Sequence, residues 1–424
     1  MIKYKIPILV VVTLIIFSTV SIARILIPPI TGPITKKISV FVPDLTSVGD
    51  SRDEKALEFV DVLRNDLLNA GLFDVHDAGG IPLNSSGSID FQAFFDAGAE
   101  ALVMGEYQSS GDMITIAMRL FDVVQERELL GRSYEAPAGT VRWAAHRFAS
   151  AVMKELTGID GFFNSKIVFV SGTEQNRDLF IMDYDGHNVR RLTSHHALVL
   201  SPNCSLDGTN IVFNSDKVWN QDIYVLSLTP RMHERRIIHA GRLAQTAVWS
   251  PDGKKIAYSG GDGDIFVANA DGSGAVNLTH HPAIDVSPTW SPDGKQIAFV
   301  SDRSGEPQIY VMNSDGSDLR RITSGGYSTD PSWSPNAEVN KIAFVKVEGA
   351  EANIYTINPD GSDEERITSG SGRNENPSWS PDGHYIAFDS TRGGSENIYI
   401  MYFNGENQRP LTKGGGKSFP TWCR

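Results

Sequence analysis

The sequence predicts two domains: an N-terminal α/β domain, then an all-β six-bladed propeller closed by its C-terminal strand. Three observations carry this. Helix-like and strand-like runs alternate from Lys36 to about Thr157. Helical periodicity stops after Gly158. A unit built on Pro-x-Trp-Ser-Pro-Asp-Gly then recurs to the C-terminus. The length of 424 residues suits two or three domains, and 39 Gly with many Asp-Gly pairs indicates numerous tight turns, hence β-structure. A net charge of −13 argues against a polyanionic partner, because nucleic-acid binding relies on clustered Lys and Arg.

The chain begins with an address. Lys3 and Lys5 precede an uncharged run from Ile6 to Ile22, with small residues at Ser21 and Ala23. This is the pattern of a secretory signal spanning residues 1–23, with cleavage expected after Ala23 and export to the periplasm. A retained anchor is the alternative, although the run is short for a membrane span of roughly 20 residues. Without the segment the net charge becomes −15. Arg24–Thr35, rich in Ile and Pro, reads as a flexible leader.

The α/β domain is expected over residues 36–157. Ile38, Val40 and Val42 alternate along a first strand. Asp50 or Ser51 would cap a helix carrying Ala56, Leu57, Val60, Leu63, Leu67 and Leu68 and ending at Gly71. Recurrence at three and four residues gives that helix one apolar stripe. A strand near 72–75, a short helix over 91–97 and strands near 101–107, 113–121 and 129–134 follow. A closing helix spans 141–156, with Trp143, Phe148 and Val152 assigned to one face.

The propeller occupies residues 158–424. Trp falls at 249, 290, 333, 379 and 422, and Cys204 takes its place in a weaker copy, at intervals of 45, 41, 43, 46 and 43 residues. That spacing holds four short strands, the content of a propeller blade. The second strand recurs six times, from Lys166 to Tyr385, and so does the third. The repeat enters at a second strand and ends on a first strand, so the C-terminal strand must complete the first blade and remove two exposed sheet edges. Asp252-Gly253, Asp293-Gly294 and Asp382-Gly383 read as hairpin turns, and the Trp residues as packing between blades.

No catalytic constellation is legible, and the chain reads as a non-enzyme without cofactor or metal. Gly414-Gly415-Gly416-Lys417-Ser418 fails the phosphate-loop spacing, since position 411 is Leu. The His195-His196 and His280-His281 pairs lack companion ligands. Cys204 and Cys423 fall in the first strands of neighbouring blades, but Cys423 lies one position past its Trp and so on the opposite strand face. Buried free thiols are therefore expected rather than a bridge.

A signal sequence, a small α/β domain, six Trp-Ser-Pro-Asp-Gly-type repeats and the opening strand Ile38-Ser39-Val40-Phe41-Val42-Pro43-Asp44 together resemble the TolB family of periplasmic propellers in the Tol–Pal envelope system. The resemblance covers nearly the whole mature chain. The second blade departs from it, lacking its Trp at 204 and the Asp-Gly between its third and fourth strands. The resemblance implies a monomeric protein–protein adaptor that supports outer-membrane integrity and envelope constriction at cell division. One mouth of the channel would receive the peptidoglycan-associated lipoprotein Pal, and the leader would contact TolA, as an added strand on a sheet edge. Independently, the loops entering the innermost strands converge on one mouth. They carry His195, His196, Gln245, Thr246, Asp285, Val286, Ser287, Tyr327, Thr329, Asp330, Glu375, Asn376, Lys417 and Ser418. Of these, Val286-Ser287, Thr329-Asp330 and Glu375-Asn376 match partner-contacting positions of the family's motif, and Tyr327 is the best aromatic anchor. An exported enzyme or small-ligand receptor using the channel is the alternative.

Overall fold

The computed structural model describes residues 36–48, 53–77, 81, 89–173, 175–229, 231–239, 244–370 and 372–424. The signal segment, the leader and the expected helix caps Asp50 and Ser51 lie outside the described residues.

In the first domain β1 (Ile38–Phe41), β2 (Thr46–Ser47), β3 (Phe73–His76), β4 (Ala101–Ser110), β5 (Met113–Asp122) and β6 (Arg127–Pro137) form one sheet. Its order is β3-β1-β4-β5-β6, with β2 on β4. β1 runs parallel to both neighbours, whereas β4, β5 and β6 form an antiparallel meander. Helix α1 (Glu54–Asn69) is capped by Asp53, whose carboxylate accepts from the Lys55 N–H at 2.8 Å. It buries Ala56, Phe59, Val60, Leu63 and Leu67, while Leu68 is exposed. Helix α2 spans Phe91–Asp96, and α3 spans Val141–Thr157, stopping where Gly158 turns left-handed. Trp143 does not share the buried face of Phe148 and Val152. It is 49% exposed beneath the Arg147 guanidinium, because five residues of helix turn the side chain about 140° away from Phe148.

The propeller has six four-stranded antiparallel blades. The first comprises β7 (Lys166–Gly172), β8 (Arg177–Asp183), β9 (Arg190–Arg191) and, inside β7, the closing strand Lys417–Cys423. The other innermost strands are Val199–Cys204, Ala244–Trp249, Asp285–Trp290, Tyr327–Trp333 and Asn374–Trp379. The outermost strands are mostly two residues long, and a threonine hydroxyl continues each ladder in their place. Leu179, Ile309, Ile354 and Ile398 each donate a backbone N–H to Thr193, Thr323, Thr368 and Thr412 respectively, at 2.8–2.9 Å. That is the physical use of the threonine that follows Leu or Ile just after each of these short strands. Each repeat Trp packs against the preceding blade, Trp290 among Ala257 and Ile265, Trp333 among Ala298 and Ile309. The residue before it serves the following blade. Asn203, Thr289 and Ser378 side chains accept the N–H of Trp249, Trp333 and Trp422 at 3.0–3.1 Å.

This stacking overturns the expectation of free thiols. Cys204 occupies the Trp register and faces backward onto the first blade, whereas Cys423, one position past Trp422, faces forward onto the second. Opposite strand faces are what bring neighbouring blades together, and the two cysteines form a disulfide with Cα atoms 5.4 Å apart.

The domains meet where the repeat breaks its own pattern. The position before the second strand's Ile is Lys166, Asn210, Lys255, Gln296 or Lys341 in the other blades, but Tyr385 in the sixth. The hydroxyls of Tyr385 and Tyr402 both donate to the Asn69 carbonyl at the end of α1, at 3.0 and 2.9 Å. Gly71, just beyond, has φ +71°, and a Cβ there would lie 2.2 Å from the Tyr402 oxygen, so no side chain fits. Tyr184, in place of a small residue, reaches Asp66 of α1 at 2.5 Å. Phe162 contacts Tyr184, Tyr385 and Trp422, so one apolar core runs from α1 and α3 into the closing seam.

The closing strand should hold the ring together. Deleting residues 419–424 is expected to lower the melting temperature by more than 10 °C. Reducing Cys204–Cys423, which spans 219 residues, should cost up to about 5 kcal/mol in the chain-entropy view. Thermal melts with and without reductant, alongside Cys204→Ser, test both.

Candidate functional site

One end of the channel is marked by the repeat tryptophans. A cavity of about 170 Å³ there is lined from all six innermost strands, including Trp249, Trp290, Trp333, Trp379 and Trp422. The opposite ends of the same strands form the other mouth. Each strand there carries a bulge, and each bulge holds one non-glycine residue in left-handed conformation. These are Ser201, Thr246, Ser287, Asp330, Asn376 and Phe419, with φ between +47° and +54°. Proline follows five of the six, all but Thr246. Such conformations cost of order 1–3 kcal/mol each and persist where surrounding structure imposes them. Bulges re-aim side chains, and here they do so around a ring of six.

The predicted residues divide accordingly. Thr246, Ser287, Asp330 and Asn376 occupy the bulges, with Gln245, Val286, Thr329 and Glu375 one position earlier. Tyr327 stands 50% exposed at the rim. His196 is exposed with φ +54°. Lys417 folds back to donate to the Lys413 and Gly415 carbonyls at 2.7 and 2.9 Å. Three assignments need correction. Asp285 is fully buried, with both carboxylate oxygens accepting from Arg303 Nη2 at 2.8 and 3.0 Å, because the position two residues before the bulge points between sheets, as Val199, Ala244, Ser328 and Asn374 also do. Ser418 is buried beside Arg177. His195 is turned into the second blade, with Nε2 2.8 Å from Glu234 and its ring stacked on Phe213. Burial, then the Lys217 charge, pulls its pKa down.

Three carboxylates cluster at this mouth, Asp330 and Glu375 half-buried and Asp389 buried behind them. Asp330 is pushed up by burial and by the Glu375 charge, against the Thr329 hydroxyl. Glu375 is gripped by Arg373, whose Nε lies 3.0 Å away. Asp389 accepts from the Phe419 N–H at 2.9 Å and from the Asn376 amide at 2.8 Å, so it ties two bulges together across the closing seam. Burial, reinforced by Glu396 and Glu375, raises its pKa to about 8.

Sequence reading missed the most exposed aromatic at this end. Trp219, in the loop after the second blade's second strand, is 97% exposed with φ +74°. It borders a cleft of about 700 Å³ shared with Gln221, Gln245, Ile284 and Val286. The available signal was a tryptophan outside the repeat register, in the Lys217-Val218-Trp219-Asn220 loop.

Residues 29–129 match the family described as the TolB amino-terminal domain, and residues 153–339 and 325–423 match the TolB beta propeller domain. The chain belongs to the TolB family. The "Tol-Pal system protein TolB" of Syntrophotalea carbinolica is 37% identical over 163 residues, 37% of this chain and 38% of that protein. The protein of the same name from Anaeromyxobacter dehalogenans is 34% identical over 266 residues, 61% of each. The matched stretches thus span 38% and 61% of these relatives' lengths. In architecture, the crystal structure of TolB from Acinetobacter baumannii superposes with a TM-score of 0.77 at 24% identity, covering 92% of this chain and 97% of that one. A chain in the crystal structure of a nidogen/laminin complex reaches 0.52 at 11% identity, over 62% of this chain and 99% of that one. These two likenesses concern the fold alone. For a TolB-family chain, the crown of bulges is the feature to test.

Asp389 predicts a pH dependence. With its folded pKa near 8 and an ordinary value of 3.8, the folded state holds a proton that the unfolded state has released. Stability should therefore fall as pH rises from about 4 to about 8. Asp389→Asn should flatten that slope in denaturant titrations across the window.

Proposed function

We propose that this TolB-family protein is a non-catalytic periplasmic adaptor of the Tol–Pal envelope system. Its bulged channel mouth docks a Pal-like peptidoglycan-associated lipoprotein, and its leader, residues 24–35, contacts a TolA-like inner-membrane protein. Export rests on the signal segment and supports a role in outer-membrane integrity and division. The names of the curated relatives agree with this placement.

The observation that carries the reading is the mouth itself. Six imposed left-handed bulges present a rigid ring, with Thr246, Ser287, Asp330 and Asn376 among its members. Exposed Trp219, Tyr327 and Ile284 add apolar area around it. A polar ring on a fixed backbone with aromatic anchors suits a wet, specific protein interface, because little backbone entropy remains to be lost on docking.

Binding measurements with purified lipoprotein test it. Trp219→Ala and Tyr327→Ala should each weaken Pal binding roughly ten-fold or more, the scale of an interface anchor, with melting temperature unchanged. Unaltered affinity in both would remove the mouth from the interface. Deleting residues 24–35 should abolish TolA binding, and unchanged affinity for both partners would refute the adaptor reading.

A further inference from the structure

The first blade departs from its sister hairpins beneath α3. The third, fourth and fifth blades turn from third to fourth strand through Asn269-Ala-Asp-Gly-Ser273, Asn313-Ser-Asp-Gly-Ser317 and Asn358-Pro-Asp-Gly-Ser362. In each, the Asn amide donates to the Ser hydroxyl at 2.9–3.0 Å. The first blade instead reads Asp183-Tyr184-Asp185-Gly186-His187. The amide has become a carboxylate and the hydroxyl an imidazole.

The α3 residue facing this hairpin is His146, 3% exposed. Its Nδ1 lies 2.7 Å from the Asp66 carboxylate of α1. Its Nε2 has no hydrogen-bond partner and points toward the hairpin, 3.6 Å from Asp185 Oδ2. One ligand atom each from His146, Asp183 and Asp185 lies within 4.8 Å of the others. A histidine held by a carboxylate through one nitrogen, with the other bare and aimed at two carboxylates, is the arrangement that orients imidazole for a metal.

We propose that His146 Nε2, Asp183 and Asp185 form a zinc site that staples the α/β domain to the first blade. His187, whose Nδ1 is 3.2 Å from Asp185 Oδ1 at the exposed edge of the cluster, would turn inward to supply the fourth ligand. Mixed imidazole and carboxylate donors favour zinc over magnesium or calcium, which take oxygen-only sets. Without the ion, Lys166 pairs with Asp183 and Arg142 with Asp185. The Lys166 side chain is 43% exposed and swings into water when zinc enters. Arg142 stays on Asp185 as an outer hydrogen bond, and Asn188, 2.7 Å from Asp183 Oδ2, orients the other carboxylate. The ion binds only the docked arrangement, so it stabilises the domain junction by mass action.

The test uses the mature chain stripped with chelator and dialysed. Titration with zinc chloride, followed by calorimetry and metal analysis, should give one bound zinc and a rise of several degrees in melting temperature. Magnesium should give none. His146→Gln should abolish the binding. His187→Ala, at an exposed position, should weaken it about ten-fold or more while leaving the metal-free melting temperature unchanged, which keeps the test valid if His146→Gln folds poorly. Absence of zinc binding overturns the proposal, and so does binding that survives His187→Ala and Asp183→Asn undiminished. A zinc-independent drop in stability for His146→Gln, with no shift on adding zinc to the parent, would mark the cluster as a hydrogen-bonded interdomain latch and equally reject the metal.

Discussion

A ring of sheets has one seam, and the rest of this molecule depends on how that seam is held. The closing strand enters the first blade from the far end of the sequence, and several distinct contacts fasten it. It pairs with β7. The Trp422 N–H bonds to Ser378 of the blade behind, and its indole donates to Ser165 at 2.6 Å. Asp389 receives the Phe419 N–H, and Cys423 is bonded to Cys204 of the blade ahead. Each contact joins segments far apart in sequence. Together they remove the two free edges that would otherwise invite pairing with other chains, and they bring the first and last bulges into one mouth.

The seam is also where the domains meet. Trp422, Tyr385, Phe162 and Tyr184 form one aromatic cluster beneath α1 and α3. Closure of the ring and docking of the α/β domain are therefore not independent events in packing terms. A change at the junction bears directly on the strand that ends at Cys423. This supplies a physical route between the domains, through packed rings and the Asp66–Tyr184 and Asn69–Tyr385 hydrogen bonds, rather than through the linker alone.

The channel's two ends differ in chemistry for a reason built into the repeat. At one end, Trp-Ser-Pro-Asp-Gly closes the inner hairpins of the third, fourth and sixth blades with local bonds. Ser250 donates to Asp252 at 2.7 Å and accepts the Lys255 N–H at 2.9 Å, so those side chains are consumed by the scaffold. At the other end the bulge breaks the ladder and frees side chains to face the channel.

The repeat, the blade number and the need for the last strand to complete the first blade were legible in the sequence, because a period of 41–46 residues with alternating apolar strands has few architectures open to it. That the segments entering the innermost strands converge at one end of the channel follows from the same count. What each mouth residue does was decided by tertiary structure. Asp285, Ser418 and His195 sit at blade positions that look equivalent to their neighbours, yet Arg303, Arg177 and Glu234 draw them inward. Those partners lie 18, 241 and 39 residues away, and no local pattern announces them. Strand alternation within one blade does not reveal the disulfide. Only the face-to-face stacking of two blades shows that a backward-facing and a forward-facing side chain are the pair that meets.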